Sequence, residues 1–303
     1  MDWPTHPDPV PLSESGWVNT LYLSQPAARS DPTIVWGTTV DVEKLEAFLA
    51  EHGREHRLII SPAHVLVRAV AASLIDHPAV NKRVIGRRAY RYSEINVVMP
   101  ILRTRHGEVD TVFIQNANRL SIADIGRRLW SEARDRATAA AASRGGSGAS
   151  RQSPRLLELL RLYWNHKMAG IGFTIFNRFR IPHLFAWHRE MNSANAFVNY
   201  LGSPGAPPII SYKPSCLPIN AFSVSVTMGP TQPQAVVVDN QIVIRRQAPL
   251  FVRVDHRLIN GQQAAAFIST LRRYVSNPVE IPVPQESIPG DEMSTTAVRS
   301  AAA

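Results

Sequence analysis

The chain has 303 residues, 45% of them hydrophobic and 19% charged, which excludes a disordered polymer and leaves ample apolar material for one large domain or two small ones. The formal net charge of +9 rests almost wholly on arginine, because lysine occurs only at Lys44, Lys82, Lys167 and Lys213. The one cysteine, Cys216, rules out an intramolecular disulfide and a cysteine-based metal cluster.

The positive charge suits a polyanion or the phosphates of a nucleotide-bearing cofactor. The arginines are scattered, no aromatic residues interleave with them, and no nucleic-acid motif accompanies them, so nucleic acid is not an expected partner. The first eleven residues are rich in proline and acid and lack the basic-then-apolar order of a signal peptide. No apolar run reaches the ~18 residues of a membrane span. The cytoplasm is the expected location.

In chain order, residues 33–42 are rich in β-branched side chains and read as a strand. A short helix over 42–52 follows, with Gly53 as its stop. Ser61-Pro62 then supplies an N-cap and a proline at the first helical position, and Val65, Leu66, Ala69, Val70 and Leu74 recur at three- and four-residue spacing. That pattern predicts a helix with one buried face, stopped by His77-Pro78. Residues 95–101 and 109–114 read as two strands joined by a turn at His106-Gly107, and Ser121 caps a helix from 122 to about 142. The Gly- and Ser-rich stretch 143–153 has the composition of a flexible linker. Residues 154–180 are apolar but interrupted by charge. They read as a helix on the protein's own core or a lid over a substrate tunnel, with membrane-surface contact as the less favoured reading.

Four strands are expected in the last third, over 220–227, 234–239, 241–246 and 250–255, with Asp239-Asn240 as a hairpin turn. A helix over 262–275 turns Ala265, Phe267, Ile268, Leu271 and Tyr274 inward, and Asn277-Pro278 ends it. From 282 onward the composition predicts a loose tail.

The chemistry concentrates at Asp255-His256-Arg257-Leu258-Ile259-Asn260-Gly261. A histidine between an apolar strand and a helix is held by regular elements on both sides yet faces a cleft, and imidazole titrates near neutrality, as a general base requires. Gly261 is expected to permit a sharp turn into the helix.

Residues 254–268 and the Ser276-Asn277-Pro278 that follows resemble the C-terminal signature of the dihydrolipoyl acyltransferase catalytic domain of 2-oxo acid dehydrogenase complexes, whose core H-x-x-x-D-G is shared by chloramphenicol acetyltransferase. Residues 38–45, the Ser61-Pro62 helix with its His77-Pro78-Ala79-Val80-Asn81 phrase, and the hairpin over 236–244 are similar to further parts of that domain. The resemblance covers about 33–278 apart from the region near 143–195. It divides the chain into an N-terminal arm (1–32), an acyltransferase-like catalytic domain (33–281, with an insertion at about 143–195) and a flexible C-terminal tail (282–303).

The resemblance implies an α/β (α+β) sandwich with a mixed sheet and flanking helices, chloramphenicol acetyltransferase-like, assembled as a homotrimer or a multiple of trimers with active sites between subunits. It implies that His256 deprotonates a thiol or hydroxyl acceptor that attacks acyl-CoA, a co-substrate and not a permanently bound cofactor. In the family a hydroxyl residue stabilises the tetrahedral oxyanion, and in Phe197-Val198-Asn199-Tyr200-Leu201-Gly202 it is Asn199 that stands at that place, where an amide can donate instead. A rival placement lies in Gly172-Phe173-Thr174-Ile175-Phe176-Asn177. Asn260 replaces the family's loop-ordering, arginine-paired aspartate. The two asparagines keep open a second reading, a weakened or inactive trimeric scaffold of the same fold. Cys216 as a nucleophile, and the condensation-domain and plant acyltransferase families that share the hexad, fit less well. No lipoyl-domain phrase is present, so a free-standing member is expected. No metal site is expected, and acyl and acceptor identities are left open.

Overall fold

A computed structural model describes residues 10–11, 33–85, 88–92, 94–102, 109–145, 194–202 and 222–284. The strands are β1 (Val10–Pro11), β2 (Thr33–Asp41), β3 (Lys82–Ile85), β4 (Arg88–Arg91), β5 (Val97–Leu102), β6 (Val109–Ile114), β7 (Ala196–Tyr200), β8 (Val224–Met228), β9 (Gln232–Val238) and β10 (Gln241–Asp255). The α-helices are α1 (Glu43–His56), α2 (Pro62–Asp76), α3 (Ile122–Gly145) and α4 (Gly261–Ser276).

A mixed seven-stranded sheet runs β2-β10-β8-β7-β5-β6, with β9 paired to β10. The steps β5–β7 and β7–β8 are parallel and the rest antiparallel. This is the expected mixed sheet with flanking helices. A second, three-stranded sheet, β1-β4-β3, was not expected from the sequence.

Helix α2 is the centre of the core. Every residue from Ala63 to Leu74 is buried, where amphipathic spacing predicts one buried face. The difference lies in the small residues: Ala63, Ala69, Ala71 and Ala72 let α3, α4 and β7 approach the faces that the larger residues leave. Two of the polar groups carried inward, His64 and Arg68, find hydrogen-bond partners. The Ser61 N–H donates to His64 Nδ1 at 2.8 Å, and Arg68 Nη2 donates to the Pro282 carbonyl at 2.5 Å. Burial pushes His64's pKa below the usual imidazole value.

Two boundaries differ from expectation. Helix α1 continues through Gly53 to His56 and stops at Arg57, which is left-handed at φ 53°. The Leu58 N–H returns to the Gly53 carbonyl at 3.0 Å. A Cβ on Gly53 would lie 3.0 Å from the Leu58 carbonyl oxygen, so the glycine permits the chain's return one turn inside the helix end. Strands expected at 241–246 and 250–255 are one strand, β10, because its partners change without a break: β9 holds Gln241–Gln247, and β8 follows on that side at Leu250–Val254.

The N-terminal ends of β5, β7 and β8 meet the C-terminal end of β10. Buried asparagines knit that end of the sheet. Asn195 Oδ1 accepts the Asn96 N–H at 2.8 Å, Asn195 Nδ2 donates to Asn81 Oδ1 at 2.8 Å, and Asn81 Nδ2 donates to the Tyr92 carbonyl at 2.9 Å. Fully partnered buried amides fix one register, and this is the end at which β10 delivers His256.

Candidate active site

Strand β10 enters the site through its buried half. Leu250, Val252 and Val254 alternate inward and are almost wholly inaccessible, and β2 and β8 hold the strand from both sides as far as Val254. Asp255 is its last residue, paired with Thr33. Its carbonyl then accepts the N–H groups of both Leu258 and Ile259 at 3.1 Å, which closes the turn around His256, while the buried Leu258 and Ile259 side chains anchor it.

The flanking charges lock the turn further. Arg257 Nε donates to Asp255 Oδ1 at 2.9 Å, Nη2 donates to Oδ2 at 2.6 Å, and the Arg257 N–H donates to Oδ1 at 3.0 Å. The pair's side chains are only 12% and 8% exposed. Such a bidentate fork holds geometry as well as charge. The acid–arginine pair of this turn is thus Asp255–Arg257 and does not involve position 260; the D-H-R spacing was its signal in the sequence.

His256 itself is half-buried. Its Nδ1 lies 2.9 Å from the Ile259 carbonyl oxygen. A carbonyl can only accept, so Nδ1 carries a proton, and in the neutral ring Nε2 then holds the acceptor lone pair. That is the tautomer a general base needs, with the orienting bond made by the nitrogen that does not react.

Asn260 is exposed and is the N-cap of α4: its Oδ1 accepts the Gln263 N–H at 2.9 Å, and Gln263 Oε1 accepts the Asn260 N–H at 3.2 Å. Gly261 is the first helical residue, and a Cβ there would meet only the Trp36 ring at an ordinary 3.7 Å. The sharp turn therefore belongs to 256–259, and Gly261 is not required for it by conformation.

Asn199 lies on β7, in register with Thr227 of β8, which is in register with Phe251 of β10. His256 is five residues beyond Phe251, a rise of roughly 17 Å along the strand direction. One chain thus holds His256 and Asn260 in one turn but does not bring Asn199 to them. The rival segment 172–177, the stretch 154–180 and Cys216 lie outside the described residues. Among the described residues no helix is long and apolar enough to cross a membrane.

Comparisons with known proteins follow the same outline. The chain is 26% identical over 267 residues to the lipoamide acyltransferase component of the branched-chain alpha-keto acid dehydrogenase complex of Pseudomonas aeruginosa, covering 85% of this chain and 49% of that protein. It spans about half the length of the curated relatives it matches. Among solved structures, a probable dihydrolipoamide acetyltransferase from Listeria monocytogenes shares the fold at TM-score 0.55 and 17% identity, over 86% of this chain and 89% of that one. Azotobacter vinelandii dihydrolipoamide acetyltransferase does so at TM-score 0.55 and 17% identity, over 87% of both chains; that structure concerns the role of a serine, a histidine and an asparagine four positions after the histidine in its catalytic mechanism. The family model of the 2-oxoacid dehydrogenases acyltransferase (catalytic domain) matches residues 23–148 and 201–283, more than half of the chain. With its mixed sheet and the turn carrying His256, the chain therefore belongs to the 2-oxoacid dehydrogenases acyltransferase (catalytic domain) family.

Proposed function

We propose that the chain transfers an acyl group from acyl-CoA to a thiol or hydroxyl acceptor, with His256 as general base. The observation that carries this reading is the bond from His256 Nδ1 to the Ile259 carbonyl, which leaves Nε2 as the proton acceptor. Nε2 takes the acceptor's S–H or O–H proton while its sulfur or oxygen attacks the thioester carbonyl. The tetrahedral intermediate collapses with cleavage of the carbon–sulfur bond to CoA. The imidazolium then returns the proton to the CoA thiolate, so acylated acceptor and free CoA leave and the base is regenerated.

The oxyanion of that intermediate needs a donor. In this reading it is the amide of Asn199 of the partner subunit, because the chain's own Asn199 stands roughly 17 Å along the sheet from His256. A homotrimer or a multiple of trimers supplies the partner. The β9–β10 hairpin supports association: Val237, Ile242 and Ile244 are 72%, 79% and 77% exposed, an apolar cluster that water disfavours.

The inactive-scaffold reading draws on Asn260 and Asn199, and two observations weigh against its Asn260 part. Asn260 is engaged as a helix cap, and the Azotobacter enzyme has an asparagine at the same spacing after its histidine.

Release of free CoA from several acyl-CoAs with thiol or hydroxyl acceptors tests the assignment. His256→Ala is expected to lower the rate by ~10²–10⁴; equal rates for variant and parent would sink it. Mixing His256→Ala with Asn199→Ala subunits is expected to restore part of the activity, since a mixed trimer holds some intact sites. Two inactive variants that stay inactive after mixing and subunit exchange would overturn the shared site.

A further inference from the structure

Helix α1 ends on His52-Gly53-Arg54-Glu55-His56. Spacings of three and four residues place His52, Glu55 and His56 on one face of the helix. The turn that bears them is held by the left-handed Arg57 and by the Leu58 N–H bonded to the Gly53 carbonyl. Phe48 stacks on the His52 ring at 4.9 Å, and the two imidazoles meet edge to face at 4.3 Å.

His52 Nδ1 is 3.7 Å and His56 Nε2 is 3.9 Å from the same Glu55 oxygen, Oε2. A group of donor atoms from the three side chains lies within 4.8 Å. These separations are too long for hydrogen bonds. Burial, with His56 beside it, lowers the pKa of His52 against the smaller pull of Glu55. The far nitrogen, His52 Nε2, is buried and has no hydrogen-bond partner among the described residues, so nothing on that side accounts for the ring's orientation. What the cluster presents is one nitrogen of each imidazole and a carboxylate oxygen, all within 4.8 Å of one another. Two ligands of a tetrahedral zinc ion, each at about 2.0–2.1 Å, stand roughly 3.4 Å apart. The cluster therefore closes on an ion by small rotations, the largest by Glu55, whose side chain is 68% exposed.

We propose that His52 Nδ1, the Glu55 carboxylate and His56 Nε2 form a three-ligand site for a divalent transition-metal ion, zinc, with water in the fourth position. Two imidazoles and a carboxylate select zinc and its neighbours in the first transition row over calcium or magnesium. The adjacent Arg54 and Arg57 oppose a cation, so the affinity is set below that of closed structural zinc sites. The site shares no residue with the turn that carries His256.

The test uses the full chain without an affinity tag. Zinc is titrated against a chromophoric chelator, and cobalt(II) substitution reads coordination from its visible bands. The expected result is one zinc per chain and intense tetrahedral cobalt bands. His52→Ala and His56→Ala should each weaken binding about tenfold or more, a loss of about 1.4 kcal/mol or more. His256→Ala should bind as the parent does, with circular dichroism confirming the fold of all three variants. A parent protein that binds no zinc at micromolar protein overturns the site. Binding that survives both His52→Ala and His56→Ala overturns it as well, because other histidines would then hold the metal.

Discussion

The two halves of strand β10 have similar sequences and opposite surroundings. Residues 241–246 carry Ile242, Val243 and Ile244, yet β9 is the one described strand paired with them, and Ile242 and Ile244 face solvent. Residues 248–255 carry Leu250, Val252 and Val254, lie between β2 and β8, and are almost fully buried there. β-Branched residues favour a strand in both halves, but burial is conferred by neighbours and not by the strand's own residues. The consequence is a division of labour within one element. The doubly flanked half is stiff enough to aim His256, and the singly flanked half offers an apolar edge to whatever covers it.

The comparison can be broken first at the aimed end. After His256→Ala, the largest expected effect is that of Asp255→Asn. The Asp255 carboxylate holds the half-buried Arg257 guanidinium through hydrogen bonds from Nε and Nη2, and also accepts the Arg257 backbone N–H. Removing its charge leaves an uncompensated cation and should cost about 3 kcal/mol of stability. The same change should lower kcat, because the turn that orients His256 loosens. Chemical denaturation and CoA-release kinetics on one preparation check both, and an unchanged midpoint would show that the pair does not hold the turn.

Next in size is a matched pair of substitutions, one in each half. Val252→Ala removes two buried methyl groups between β2 and β8 and should cost about 2 kcal/mol. Ile244→Ala removes exposed ones and should change the stability of a single chain by less than about 0.5 kcal/mol. Its effect should fall on association, read as a shift in mass by light scattering at decreasing protein concentration. If Ile244→Ala destabilises as much as Val252→Ala with no change in assembly, the two halves differ less than their surroundings indicate.

Much of this was legible in the sequence because it is local. The Ser121 cap is there, with the Asp124 N–H donating to its Oγ at 3.1 Å. The Asp239-Asn240 turn is there at φ 50° and 61°, as its residues require. The inward alternation of Leu250, Val252 and Val254 is there too. What escaped depends on distant pairing or on backbone detail. Strands β3 and β4 are four residues each, and their third partner, β1, lies some eighty positions away. The Asn81–Asn195 bond spans 114 positions. In α4 the buried alanine is Ala264 and not Ala265, a one-residue phase error that helical periodicity permits. In the site, His256 and Asn260 could be named from the resemblance, but the tautomer depends on where one carbonyl points. The separation of Asn199 from His256 depends on register across two strand pairs. The His52–Glu55–His56 spacing was readable and carries no family phrase to draw attention to it.

The smallest expected effect bears on Asn260, which stands just beyond the buried half and belongs to the helix that follows. Its side chain caps α4 from an exposed position. Asn260→Ala should therefore cost about 1 kcal/mol, the ordinary loss of an N-cap. Asn260→Asp keeps an acceptor for the Gln263 N–H and places a negative charge at the helix N-terminus, so stability should hold or rise by a few tenths of a kcal/mol. If capping is the whole of its role, both variants keep the CoA-release rate of the parent to within about the change in folded fraction. A large fall in kcat for Asn260→Asp at unchanged melting temperature would instead assign Asn260 to the chemistry. The turn would then act through two side chains, and the aimed end of β10 would extend into the first residue before α4.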